Sequence, residues 1–318
     1  MSCPTISYRL FGVAVACDLP LTGVPEVSSA EADIRVARGP DRPGDCGHDW
    51  LHSWHDENGE PVLACARFTD AEGTASYLLR FPGLAEFAIT GTVVLCHPQP
   101  DCGEDSLRHL LLDQVMPRLW AHLGHLVVHA SAVQLQDDRV IAFLGKSGWG
   151  KSTLAAAMQS RGCRLLSDDS IWLRAVDGRV TLVPGYTGLR LNEDSITTLD
   201  LQQLGWASAC HYSDKRRLAL LPEQPDRPLL LDALYVLAEP GAACGALSIS
   251  PAADADLVTS LIRHSFLLDV RDAGSAKDQL HQATAVVRAA PGCFTLAYPR
   301  GFPLLSGVCE SLLSGGAP

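Results

Sequence analysis

The chain has no apolar run approaching the roughly 18–20 residues that a membrane-spanning helix needs, so no membrane partner is expected. It has no C-x-x-C pair. Its 11 cysteines are scattered and odd in number, which argues against a zinc site or a disulfide framework and for reduced thiols in a cytoplasmic protein. Positive charge is scarce: 25 Lys and Arg stand against 36 Asp and Glu, a net charge of −11, which excludes a general nucleic-acid binder. Met1-Ser2-Cys3-Pro4 has no basic-plus-apolar signal pattern, so no leader is expected. Internal repeats, heptads and low-complexity tracts are absent too. What is left is a chain of 318 residues, 47% hydrophobic, that reads as folded and long enough for two domains.

Residues 5–97 read mostly as β. Residues 8–15 form one apolar run; 50–55 and 61–68 flank Glu57-Asn58-Gly59, where Asn-Gly tolerates the positive φ of a hairpin turn. Residues 75–81 and 85–96 are further strands across Pro82-Gly83, and 98–103 read as a linker. Leu107, Leu110, Leu111, Val115, Leu119 and Leu123 recur at helical spacing, with a kink expected at Pro117 and an end at Gly124. Residues 125–135 read as one strand. Beyond residue 162 the pattern predicts a strand over 163–167, a hairpin over 170–183 turning at Asp177-Gly178, strands over 228–237 and 244–250, and helices over 258–268 and 278–287. The boundary falls at 104/105: a β-rich unit over 1–104 and an α/β unit over 105–318.

Gly145-Lys146-Ser147-Gly148-Trp149-Gly150-Lys151-Ser152 fits the phosphate-binding pattern G-x-x-x-x-G-K-[ST]. An apolar β-type run over 139–144 precedes it and a strong helix former from Thr153 follows. Strand, glycine turn and helix N-terminus together aim backbone N–H groups at one point. Lys151 supplies charge toward the β- and γ-phosphates of a nucleotide such as ATP, and the Ser152 hydroxyl suits Mg²⁺. Trp149 fills a variable position and carries no expectation. Asp168-Asp169, seventeen positions after Lys151, ends the strand after the loop helix. One carboxylate would act as base or metal ligand and the other would orient it or bind Mg²⁺; the bland alternative is a polar strand exit. His129 lies one hairpin before the loop, either at the loop mouth or as a core histidine. Lys215, Arg216 and Arg217 form the one tight basic cluster, either a charged strand end or a source of charge for a transferring phosphoryl group. His48, His52 and His55 sit in a strand-like context that discounts a zinc site.

The stretch 129–169 resembles the catalytic domain of the HPr kinase/phosphorylase family, carried by His129, the loop Gly145 to Ser152, Arg161-Gly162, Leu165-Leu166 and Asp168-Asp169. The resemblance implies a mixed-sheet α/β phosphate-loop domain similar to HPr kinase and phosphoenolpyruvate carboxykinase, usually oligomeric. It implies ATP and Mg²⁺ as cofactors, Asp168 as the base for a serine hydroxyl with His129 close to it, and Ser152 and Asp169 for Mg²⁺. Two departures stand out. Gly188-Leu189-Arg190-Leu191 lacks the glutamate of the family's Glu-Ile-Arg-Gly segment, and the C-terminal phosphorylase signature is missing. The β-rich unit instead resembles that of HPr-kinase-like serine kinases from lasso peptide and other ribosomal peptide gene clusters, on Tyr8-Arg9-Leu10-Phe11-Gly12, Leu19-Pro20-Leu21 and Ala32-Asp33-Ile34. The expected partner is therefore a serine-bearing peptide or small protein. A kinase of HPr itself and a binding-only nucleotide module are the alternatives.

Overall fold

The computed structural model describes residues 5–28, 31–39, 48–56, 58–70, 72–210, 213–219, 227–240 and 246–315. Its first unit is an eight-stranded sheet. Strands β1 (Ile6–Leu10), β2 (Val13–Cys17), β3 (Ile34–Arg38), β4 (Asp49–His55), β5 (Pro61–Thr69), β6 (Ala75–Phe81), β7 (Ala85–Thr90) and β8 (Val93–Pro98) lie in the order β1-β2-β3-β8-β7-β6-β5-β4. Two runs read as single strands are hairpins. The first turns at Phe11-Gly12, with φ of 48° and 78°, and the second at Gly91, with φ of 56°. In both, the flanking residues are apolar on each side of the turn, so hydropathy hides the break. The turn expected at Glu57-Asn58-Gly59 has Gly59 at φ 83°; Glu57 lies outside the described residues.

A helix crosses next, and it is irregular just before the Pro117 where a kink is expected. α1 (Glu104–Leu110) passes through a π-helical turn at Leu111–Val115 into α2 (Met116–His122). Pro117 has no N–H to give the preceding turn. The widened turn absorbs that defect, and Gly124 ends the helix at φ 92°. Leu107, Leu111, Leu112, Val115 and Leu119, all at most 1% exposed, join the core of the eight-stranded sheet, which also takes in Tyr186 and Leu268.

The remaining elements are β9 (Leu126–Val128), β10 (Ala130–Gln134), β11 (Val140–Leu144), α3 (Lys151–Gln159), β12 (Arg164–Asp168), β13 (Ile171–Val176), β14 (Arg179–Pro184), β15 (Gly188–Leu191), α4 (Glu193–Thr198), β16 (Ala207–Cys210), β17 (Ser213–Ala219), β18 (Leu229–Leu230), β19 (Ala233–Leu237), β20 (Ser248–Pro251), α5 (Asp254–His264), α6 (Ala273–Ala289), β21 (Cys293–Ala297) and α7 (Phe302–Leu313). Six strands form a mixed sheet in the order β12-β10-β11-β19-β21-β20. β11 pairs parallel with β19 and antiparallel with β10, so the loop after β11 opens at one end of the sheet. The run 125–135 is not one strand. It breaks at His129, with β9 in a four-stranded sheet beside β13 and β10 in the six-stranded sheet between β11 and β12. Every residue of β9 is buried, and β10 is buried up to Gln134, so no alternation marks the switch. The hairpin at Asp177-Gly178 is as expected, with both residues at positive φ. The architecture is α/β with mixed sheets, and no described helix is long and apolar enough to cross a membrane.

Candidate functional site

β11 is fully buried and delivers the chain to the glycine loop. Gly145 has no room for a side chain, since a Cβ there would stand 3.2 Å from Leu237 Cβ and 3.3 Å from the Trp149 ring. Gly148 and Gly150 take φ of 80° and 91°, conformations that favour glycine. Gly150 is the N-cap of α3 and brings no side-chain cap, so the helix opens with unclaimed N–H groups toward the loop. Lys151 is buried and its ammonium donates to the carbonyls of Gly145, at 2.7 Å, and Lys146, at 3.2 Å. Burial pulls its pKa down to about 8 against the opposing pull of Asp169 and Asp168.

Antiparallel pairing of β10 with β12 puts Ser131 opposite Asp168. The Ser131 hydroxyl donates to Asp168 Oδ1 at 2.6 Å and the Arg190 amide donates to Oδ2 at 3.2 Å, while the nearby Ser152 hydroxyl helps to hold the charged form. Burial first, then the neighbouring Asp169 charge, raises the Asp168 pKa to about 6. Asp169 sits at φ 140°, a strained position for a residue with a side chain. Its carboxylate is gripped by the Arg190 fork: Nε to Oδ2 at 2.9 Å and Nη2 to Oδ1 at 2.6 Å. On the far side Arg190 Nη1 lies 3.1 Å from Asp113 Oδ2 and 2.7 Å from His109 Nδ1. Burial lowers the Arg190 pKa, but Asp113 and Asp169 outweigh it and hold the guanidinium well above its ordinary range. Burial likewise opposes ionisation of Asp113, and Arg190 and His109 more than reverse it.

A cleft of about 120 Å³ collects these groups. His129, Ser147, Gly148, Gly150, Lys151, Ser152 and Thr153 line it from the loop side, and Asp169, Arg190, Asn192, Ser195 and Lys215 from the other. Thr153 and Ser195 hydroxyls are 3.1 Å apart. Asp168 is not in the wall; it lies beneath, behind Ser152 and Ser131. His129 contacts Asp169, with Nδ1 2.8 Å from its backbone carbonyl and 3.9 Å from Oδ1. Burial and Lys151 push the His129 pKa down to about 4, so the ring is neutral at pH 7 and, with Nδ1 donating to the carbonyl, Nε2 is left as an acceptor.

Of the basic cluster only Lys215 reaches the cleft. Arg216 is exposed and pairs with Glu193 at 3.8 Å, and Arg217 is buried over the Tyr186 ring, donating to the Thr22 carbonyl at 3.0 Å. Gly145, Lys146 and Trp149 are outside the cleft wall. Trp149 instead lines an adjoining pocket of about 310 Å³ with Tyr298, Arg300, Phe302 and Leu305, which shares Gly148, Gly150 and Thr153 with the cleft. His52 and His55 lie on β4 and His48 just before it. Sequence reasoning missed Asp113, His109 and Ser195 altogether, and noted Arg190 only for the glutamate absent beside it.

Among the described residues no cluster of three or more His, Cys, Asp or Glu forms a metal cage. Two carboxylates and a serine hydroxyl beside a glycine-led helix N-terminus nonetheless fit Mg²⁺ held together with phosphate oxygens, the usual mode for that ion.

No family model matches the chain, and no curated protein matches it in sequence. Among solved structures, the Hpr(Ser) kinase/phosphatase from Coxiella burnetii aligns with 59% of this chain and 89% of its own, at 12% identity and a TM-score of 0.30, a likeness too slight to bear on function.

Proposed function

We propose that the chain is an ATP- and Mg²⁺-dependent phosphotransferase that moves the γ-phosphate to a serine hydroxyl of a peptide or small protein. One observation carries this: an uncapped, glycine-led helix N-terminus stands beside a buried carboxylate, Asp168, whose pKa is raised to about 6. Nucleotide binding alone requires the first feature and has no use for the second. A base that titrates near neutral pH is what proton removal from a serine hydroxyl needs.

In this scheme the loop N–H groups and Lys151 hold the β- and γ-phosphates, and the pocket beside Trp149 and Tyr298 receives the base of the nucleotide. Ser152 and Asp169 would hold Mg²⁺, which when bound neutralises charge on the transferring group. Arg190 fixes Asp169, and Lys215 faces the phosphates across the cleft. Asp168 takes the hydroxyl proton. The place of Asp169 in the cleft wall favours a second division of labour, with Asp169 as base and Asp168 serving Ser152 and the metal. A Mg²⁺ titration separates the two: Asn at the metal-side carboxylate raises the Mg²⁺ requirement, whereas Asn at the base lowers transfer at saturating Mg²⁺.

Lys151→Ala tests the site itself. It should abolish transfer and weaken nucleotide binding, read by the fluorescence of Trp149 in the loop. Normal affinity together with normal transfer in that variant would remove the phosphate-loop assignment.

A further inference from the structure

The segment after α5 leaves the helix and runs along β9. Ser265 bridges Val128, the Phe266 N–H donates to the Val127 carbonyl at 2.9 Å, and the His129 N–H donates to the His264 carbonyl at 2.8 Å. A second cavity of about 340 Å³ results, and His129 is a wall of both this cavity and the phosphate cleft. The other walls come from both units of the chain: Trp54 of β4, Arg118 of α2, and Arg263, His264 and Phe266.

Arg118 sets its character. The guanidinium lies 5.3 Å from the Trp54 ring centre and 5.5 Å from that of Phe266. Nη1 donates to the carbonyl and to Oε1 of Gln114, both at 2.9 Å, while Nε is buried without an acceptor. Among the described residues no carboxylate pairs with it, and burial lowers its pKa to about 10 with only Cys65 opposing. His264 is neutral at pH 7, since burial, Lys151 and Arg263 hold its pKa near 4. A partly buried guanidinium held between two rings, with no carboxylate partner among the described residues, is placed to pair with an anion entering the cavity.

We propose that this cavity docks the acceptor, taking a peptide carboxylate on Arg118 and an apolar side chain against Trp54 and Phe266, so that a serine of the same molecule reaches the phosphate cleft past His129. The proposal rests on the phosphotransferase assignment for its direction, but binding tests it separately. The carboxylate is either the peptide's own C-terminus or an acidic side chain beside the serine, since both offer the same chemistry to a guanidinium. Arg118 is a docking residue and takes no part in the transfer itself.

The test is direct binding of three short labelled peptides to the full chain, read by fluorescence anisotropy. One ends in Phe-Ser with a free carboxylate, one is its C-terminal amide, and one is an amide carrying Asp beside the serine. The wild-type chain should bind at least one carboxylate-bearing probe about tenfold or more tighter than the plain amide, the scale of a charge-assisted hydrogen bond. Whichever of the two wins identifies the source of the carboxylate. Arg118→Gln should abolish the preference and Arg118→Lys retain part of it, both with unchanged ATP binding. Equal affinity for all three probes, or a preference that survives in Arg118→Gln, overturns the proposal. Should Arg118→Gln fail to fold, the wild-type comparison decides alone, with the preference expected to shrink as salt rises. A carboxylate preference without any phosphoryl transfer would defeat the enzymatic assignment and leave the docking site standing.

Discussion

Lys151 and Asp168 titrate closer to neutrality than their side chains do in water, and for the same reason: burial disfavours the charged form of each. Below about pH 6 Asp168 holds its proton and cannot accept another; above about pH 8 Lys151 loses its charge. The pH profile of kcat/KM for transfer should therefore be bell-shaped, with limbs near 6 and 8. Asp168→Asn should erase the acid limb, lower transfer by roughly a hundredfold or more, and leave nucleotide binding largely intact. Wild-type turnover in that variant, at saturating Mg²⁺ and acceptor, would place the base elsewhere. Stability carries the opposite sign. The folded chain keeps the Asp168 proton up to about pH 6, while the unfolded chain releases it near pH 4, so ionisation of this group costs stability as pH rises through that window. The difference in Tm between Asp168→Asn and wild type should shift in favour of the variant from pH 4 to 6 and then level off; a flat difference would mean the group is not desolvated. Asp169 poses a different trade. Asp169→Gly relieves backbone strain of about 1–3 kcal/mol but leaves the buried Arg190 with one carboxylate in place of two, so thermal melting should show a smaller loss of stability than Asp169→Ala while transfer assays show the same loss of activity.

The π-helical turn between α1 and α2 is the element that ties the eight-stranded sheet to the site. It buries Leu111 and Leu112 in the core of the first sheet and turns Asp113 toward Arg190, with Tyr186 donating to the same carboxylate at 2.5 Å. Asp113→Ala leaves a buried guanidinium with one carboxylate in place of two. Urea unfolding should show a loss of several kcal/mol, with about 3–5 kcal/mol expected for breaking a buried pair outright. Transfer should fall with it, because Arg190 then holds Asp169 less firmly. Leu112→Ala, expected to cost about 2–5 kcal/mol, serves as the comparison: it destabilises without touching the Arg190 network, and kcat of the folded fraction should stay near wild type. Equal kcat losses in the two variants would mean that Asp113 acts only through stability. Little of this was legible in the sequence. The periodicity of Leu107, Leu111 and Leu119 announced a helix, and Pro117 announced a defect, but a kink and a widened turn have the same sequence signature. Asp113 and His109 stand one helical turn apart, but Arg190 is remote in the chain and meets them only through packing. The strand, glycine turn and helix around Gly145–Ser152 were legible because the pattern is local, all contained in about twenty residues. The break at His129 was not, because a strand buried on both faces shows no alternation to interrupt.

At the scale of the whole molecule, the net charge of −11 opposes an acidic acceptor at long range, and the basic cluster offers little relief. Arg216 is already paired and Arg217 is buried under Tyr186, which leaves Lys215 at the cleft. On charge alone, a flexible serine peptide is favoured over a folded acidic protein such as HPr. Side-by-side assays should show transfer to the peptide exceeding transfer to HPr, and efficient modification of HPr with none of the peptide would reverse that order. The measurement that bears most directly on the enzymatic assignment is mass spectrometry of a serine peptide incubated with the full chain, ATP and Mg²⁺. A phosphate adduct mapped to the serine, present with the wild-type chain and absent with Lys151→Ala, is the expected result; ATP bound with normal saturation and no adduct on any serine peptide or on HPr would contradict it and leave a nucleotide-binding module.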